Sequence, residues 1–224
     1  AGVGLLVDRH GDDTYAGDVL TQGAAFCGVG VLWDAGGHDT YLAQHSSQGA
    51  GFFGAGLLID HQGDDLLSLG QLGQGLGGAH GVGLLLDGGG RDRYVADLKV
   101  SSGYDTPGVY NGWSQGIGVG FRGYAPGGLG VLISAGDGDD TYQAGDFSQG
   151  TGYFFGLGIL ADSGGDDRYQ GARYSQGSAA HQAAGILLDD AGDDIYHGSV
   201  GANQGAAWDA AIAVLVDLAG DDSY

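Results

Sequence analysis

The chain has 224 residues, 51 of them glycine, 42% hydrophobic, with only two prolines and no three-residue glycine period, so it can bury a core and is neither disordered nor collagenous. Twenty-eight acidic residues against seven basic ones give a net charge of −21, which excludes nucleic acid as a direct partner and argues against an anionic membrane. The single cysteine, Cys27, allows no internal disulfide, and no apolar run reaches the 18 residues of a membrane-inserted helix.

The first segment, from Gly2, alternates Val3, Leu5 and Val7 with Gly2, Gly4 and Leu6. Period two marks a strand, and glycine at alternate positions would cost about 1 kcal/mol each in a helix. An Asp-rich turn follows, then Tyr15, then a Gln-Gly pair at Gln22. The whole unit, G-x-G-x-L-x-D-x-x-G-x-D-x-Y and later Q-G, starts again at Gly28, Gly54, Gly81, Gly128, Gly156, Ala183 and Ala211. Its leucine returns as Leu32, Leu58, Leu85, Leu132, Leu160, Leu187 and Leu215. Its tyrosine returns in every later copy except the third, which has Leu67. The fourth copy is stretched by two insertions within 95–127, at Ala96–Trp113 and Val119–Pro126, which hold both prolines and several aromatics.

Units of about 27 residues with short strands predict an all-β fold, a parallel β-solenoid (β-helix) of about eight coils spanning 1–224 as one repeat domain. The leucines should stack as one core column, and the glycines should let backbones approach closely. Both faces of the leucine strand are apolar or glycine-lined, which calls for cover on each side, from another wall of the coil or from a partner. The Gln-Gly glutamines are expected to stack as a buried amide ladder.

All 28 acidic residues are Asp, and 23 fall in the eight turns, so stacking would line them up along one edge. Carboxylates one coil apart, about 4.8 Å, repel by about 1 kcal/mol in water and more in a less polar setting. A divalent cation bound by hard oxygen ligands is the economical way to neutralise that edge. The competing reading is that these residues only make side-chain-to-backbone turns. The fifth copy puts Ala135 where the others have their first Asp, and His38 and Arg91 replace a second Asp in copies two and four.

The turn D-x-x-G-x-D-x-Y resembles the calcium-binding nonapeptide of repeats-in-toxin (hemolysin-type) proteins, G-G-x-G-x-D-x-U-x; the segments Ala135–Gln143 and Asp87–Tyr94 match it best. The resemblance implies calcium ligands at Asp13, Asp39, Asp65, Asp92, Asp140, Asp167, Asp194 and Asp222, with the tyrosines turned inward. Asp8, Asp34, Asp60, Asp87, Asp162, Asp189 and Asp217 stand where that motif has its first glycine and join them as candidate ligands. The motif occurs once per coil here instead of in tandem, so what is expected is a calcium turn, not the two-sided roll of the toxins. Calcium would then couple binding to folding, and acidification should weaken the fold by protonating the ligands.

This pattern implies an extracellular or cell-surface structural or adhesive rod, part of a longer chain or stacked end to end with its own copies. The alternative is a polysaccharide-binding or polysaccharide-degrading β-helix with its site at the insertion, formed by Tyr104, Asp105, Tyr110, Trp113 and Tyr124. Eight equivalent turns suit structure better than a single catalytic site. The seven histidines share no repeat position, so a zinc site is not expected.

Overall fold

The computed structural model describes residues 1–96 and 98–224, and every regular element among them is a β-strand. The eight leucine strands, from Val3–Val7 to Ile212–Asp217, form one parallel sheet in the order of the copies. Register is kept throughout, leucine against leucine in every pair and glycine against glycine as far as Gly185, which faces Ala213. A second parallel sheet carries the tyrosines, for example on Thr40–Ser47, Arg93–Ala96 and Arg168–Gly171. A third wall is made of two-residue strands such as Gly51–Phe52, Gly118–Val119 and Ala179–Ala180, linked by bridges at Gly77. Each unit is therefore one coil of a β-solenoid with three walls, about eight coils long.

Alternation places the leucines from Leu32 to Leu187 inside, where the leucine and tyrosine columns form one continuous core; Leu6 at the first coil is exposed. Tyrosine rings stack face to face at 4.8 Å from Tyr94 through Tyr142 and Tyr169 to Tyr196, and Tyr15 on Tyr41 likewise. Leu67 sits in register between Tyr41 and Tyr94 and interrupts the stack. A smaller core of Phe52, Leu76, Ile117, Val119 and Phe147 fills the side of the third wall.

The close approach foreseen for the glycines is present. A Cβ on Gly56 would lie 2.1 Å from the carbonyl oxygen of Ala50, so the leucine sheet and the third wall meet backbone to backbone. The Gln-Gly corners have a second reason for glycine. Gly49 holds φ +73°, and a Cβ there would stand 2.2 Å from the carbonyl oxygen of Leu84.

One expectation narrows to its second alternative, cover by a partner, and one changes. The outer face of the leucine strands, the Val3–Leu5–Val7 side, meets no other wall and points outward, half-buried only by its own neighbours. The glutamines are buried but form no amide-to-amide ladder. Gln48 donates through Nε2 to the carbonyls of Tyr41 and Ser68, both at 3.0 Å, and Gln149 to those of Tyr142 and Gln170. The amide thus clamps the tyrosine strand of its own coil to that of the next. It needs both N–H bonds for this and leaves Oε1 without a partner.

Candidate metal centre

The Asp turns fold into three columns. The first Asp of the turn caps its own backbone in the coils from Asp8 to Asp189 that have one: Asp34 Oδ1 accepts from the Gly36 amide at 2.8 Å, and Asp162 Oδ1 from Gly164 at 3.0 Å, whereas Asp217 Oδ1 has no partner. The other oxygen of this first Asp accepts the tyrosine hydroxyl of the preceding coil, as from Tyr41 to Asp60 at 2.5 Å, Tyr142 to Asp162 at 2.5 Å and Tyr169 to Asp189 at 2.6 Å. Tyr15 donates likewise to Asp34.

The later Asp of the turn ties coils together. Asp39 Oδ1 accepts from the Asp13 amide at 2.6 Å, and the pattern repeats through Asp65, Asp92, Asp140, Asp167, Asp194 and Asp222. An outer, exposed column runs the opposite way: Asp12, Asp64, Asp139, Asp166 and Asp193 each accept an amide from the following coil. His38 keeps this column going, because its Nδ1 accepts the Asp64 amide at 2.9 Å. Arg91 compensates charge instead, pairing with Asp139 at 3.1 Å.

These bonds use one oxygen of each inner Asp and in five of them leave the second unmet. Oδ2 of Asp39, Asp65, Asp92, Asp167 and Asp194 is buried with no hydrogen-bond partner, on side chains at most 2% exposed. An orphaned buried carboxylate oxygen is costly, and native structures seldom tolerate one. The same residues belong to groups whose carboxylate oxygens lie within 4.8 Å of one another: Asp34, Asp39 and Asp60; Asp65, Asp87 and Asp92; Asp167, Asp189 and Asp194. Two more groups, Asp8 with Asp13 and Asp34, and Asp194 with Asp217 and Asp222, lie towards the two ends and are less buried. Oxygens that close can share one ion at the 2.3–2.6 Å bond lengths of calcium, and an all-oxygen, multiply charged donor set suits a hard divalent cation better than a soft metal.

Crowding shows in the proton affinities. Burial, with neighbouring carboxylates added, raises Asp39 to about 6, Asp65 to about 8, Asp92 to about 9 and Asp167 to about 10. Asp140 and Asp189 rise to about 7, again chiefly through burial. For the ion-free chain the sign of the acid effect is opposite to that expected of the calcium-loaded one. Without the ion, the inner carboxyls bind protons more tightly when folded, so protons favour the fold.

Among the fifteen candidate ligands, Asp140 and Asp162 fall in none of these groups. The fifth coil explains Asp140. Register aligns Ser134 with Asp87 and Asp162, so the residue in place of the first Asp is Ser134, not Ala135; the turn is one residue longer, not the strand. Ser134 donates to Asp140 Oδ2 at 2.8 Å. Tyr94, with no Asp to reach in that coil, bonds to Asp87 of its own at 2.9 Å. That acceptor is free because the third coil has Leu67 in place of tyrosine. The two departures from the repeat compensate each other.

The insertion patch is divided by the fold. Trp113 stacks on Phe147 at 4.0 Å and meets Tyr153 edge-on, while Tyr104 lies near Phe147 and Tyr174 under the Arg173 guanidinium. Tyr124, 94% exposed, joins Trp113, Phe121 and Tyr153 around an apolar cleft. Tyr110 lines a different hollow, with Gln143 and His197. Asp105 is exposed, and its amide donates to the Ser102 carbonyl. The sequence reading missed what anchors the loop: buried Asp146 accepts from Ser102 and pairs with Arg173 at 3.2 Å, and Arg173 also reaches Thr106. The available signal was an arginine and an Asp standing outside the turns in a chain with seven basic residues.

No helix among the described residues is long and apolar enough to cross a membrane. The chain matches no protein-family model, and no curated protein and no solved structure matches it.

Proposed function

We propose that the chain is a structural, adhesive β-solenoid of an extracellular or cell-surface protein, closed by calcium along its inner carboxylate seam. One observation carries the reading: buried Asp oxygens without partners sit inside three-carboxylate groups that recur along the solenoid on both sides of the fifth coil. The resemblance of the turns to the repeats-in-toxin nonapeptide supports calcium as the ion. Where calcium is scarce, inner carboxyls such as Asp65, Asp92 and Asp167 keep protons to limit their mutual repulsion; at millimolar calcium each ion displaces those protons and supplies the neutralising charge through oxygen ligation. Ligand binding to the folded state alone stabilises it by RT ln(1 + [L]/Kd), about 3 kcal/mol per site at a hundredfold excess over Kd. Calcium added to chelator-stripped protein at pH 7.5 should raise Tm by more than 10 °C, with calcium retained after desalting. An unchanged Tm, together with no retained metal, would refute it.

The aromatic cleft favours a second, subsidiary reading. Trp113, Phe121, Tyr124 and Tyr153 line an apolar cleft that could take the C–H face of a sugar ring, and Asp105 is not among them. Glycan-array binding lost on Tyr124→Ala would support that reading; binding unaffected by Tyr124→Ala would remove it.

A further inference from the structure

The outer face of the leucine sheet is three parallel rows of side chains, starting at Val3, Leu5 and Val7 and ending at Ile212, Val214 and Val216. Followed coil by coil, the rows hold no polar residue. Eight strands about 4.8 Å apart, each about 17 Å wide, make a face of roughly 650 Å², at or beyond the largest apolar patch a soluble monomer usually leaves open. Val29, Val82 and Leu188 on it are 40%, 43% and 37% exposed.

We propose that this face is a dimer interface that takes the same face of a second copy. Two such faces bury roughly 1,300 Å² together, within the range of stable interfaces, and the face is flat and uncharged enough to pack as one sheet of a sandwich on another. Charge selects the symmetry. The exposed Asp column, with Asp64, Asp166 and Asp193, runs along the edge where the leucine strands end, whereas the edge where they begin carries Phe53, His80 and Phe155. A two-fold axis along the rod reverses strand direction in the partner and sets each acidic edge over the other copy's aromatic edge. An axis along the strands would bring acidic edge onto acidic edge. The proposal does not depend on calcium filling the seam.

The test is light scattering and analytical ultracentrifugation of the 224-residue chain in millimolar calcium, with Leu84→Lys/Ile159→Lys beside it. Both positions face outward in interior coils, away from either end. The expected result is a closed dimer for the parent chain and a folded monomer for the variant, its circular dichroism unchanged. A monomeric parent, a variant that stays dimeric, or a monomeric parent captured by neutral phosphatidylcholine vesicles through this face would each overturn the proposal. Orientation is read from single cysteines in a Cys27→Ser background with a short thiol cross-linker. Val31→Cys, near one end, links to its own copy only if the rods run parallel; linkage of Val31→Cys to Ile186→Cys instead would overturn the symmetry.

Discussion

The central prediction concerns Asp39→Asn. The carboxyl is held at about 6 against an ordinary 3.8, first by burial and then by Asp34, Asp60 and Asp13, with the Asp13 amide opposing the shift. Two units correspond to about 3 kcal/mol at pH above 6, and screening from the solvated outer turn brings this to about 1–2 kcal/mol. Asn keeps an oxygen for the Asp13 amide and offers an N–H to its carboxylate neighbours. In chelator at pH 8 the variant should therefore be more stable than the parent, with Tm higher by about 3–8 °C for a chain of this size. In calcium the order should invert, because the group formed by Asp34, Asp39 and Asp60 loses a charged ligand. Thermal melts by circular dichroism, at pH 5 and pH 8 with and without calcium, read all four values. A variant destabilised equally in all four conditions would show that Asp39 is only a hydrogen-bonding strut.

Other predictions follow from the same geometry. The ion-free chain should lose stability as pH rises from about 4 to about 10, because the inner carboxyls, with folded values between about 6 and about 10, bind more protons folded than unfolded; urea titrations that instead show stability rising over that range would contradict it. Leu67→Tyr and Ser134→Asp should each destabilise alone, the first by adding a hydroxyl that competes for Asp87 and the second by adding a carboxylate beside Asp140. Together they restore the regular repeat, so a double-mutant cycle should give a favourable coupling of about 1–2 kcal/mol. Gly56→Ala should cost about 3 kcal/mol or more, since its Cβ would meet the Ala50 carbonyl at 2.1 Å and neither backbone can yield; chemical denaturation that shows less than 1 kcal/mol would mean the walls can part.

Repetition made the columns legible: Leu6 to Leu215, the tyrosines and the Asp turns are in the sequence as they are in space. Their partners were not. A pattern of residue types says that Asp39 and Gln48 are turned to the same place in each coil, but not that Asp39 faces the amide of Asp13 or that Gln48 spans to Ser68. Those bonds depend on the offset between coils, which no single unit contains. Ser134 was hidden for a related reason: an added turn residue and an added strand residue look alike until neighbouring strands fix the register. The scattered insertion aromatics share no spacing at all, and only their packing on Phe147 divides them.

Where Gly49 stands against Leu84, and Gly56 against Ala50, opposite walls touch with no side chain between them. The girth of this molecule is thereby fixed by bare peptide groups and cannot swell or shrink by exchanging one residue for another. Its length is under no such restraint, because each turn of chain meets only the next turn or two. Change is admitted in two ways: whole turns gained or lost along the axis, and loops let out at a corner, as between Ala96 and Trp113. Such a molecule can be tailored as a ruler, its span set by counting turns while its profile stays constant.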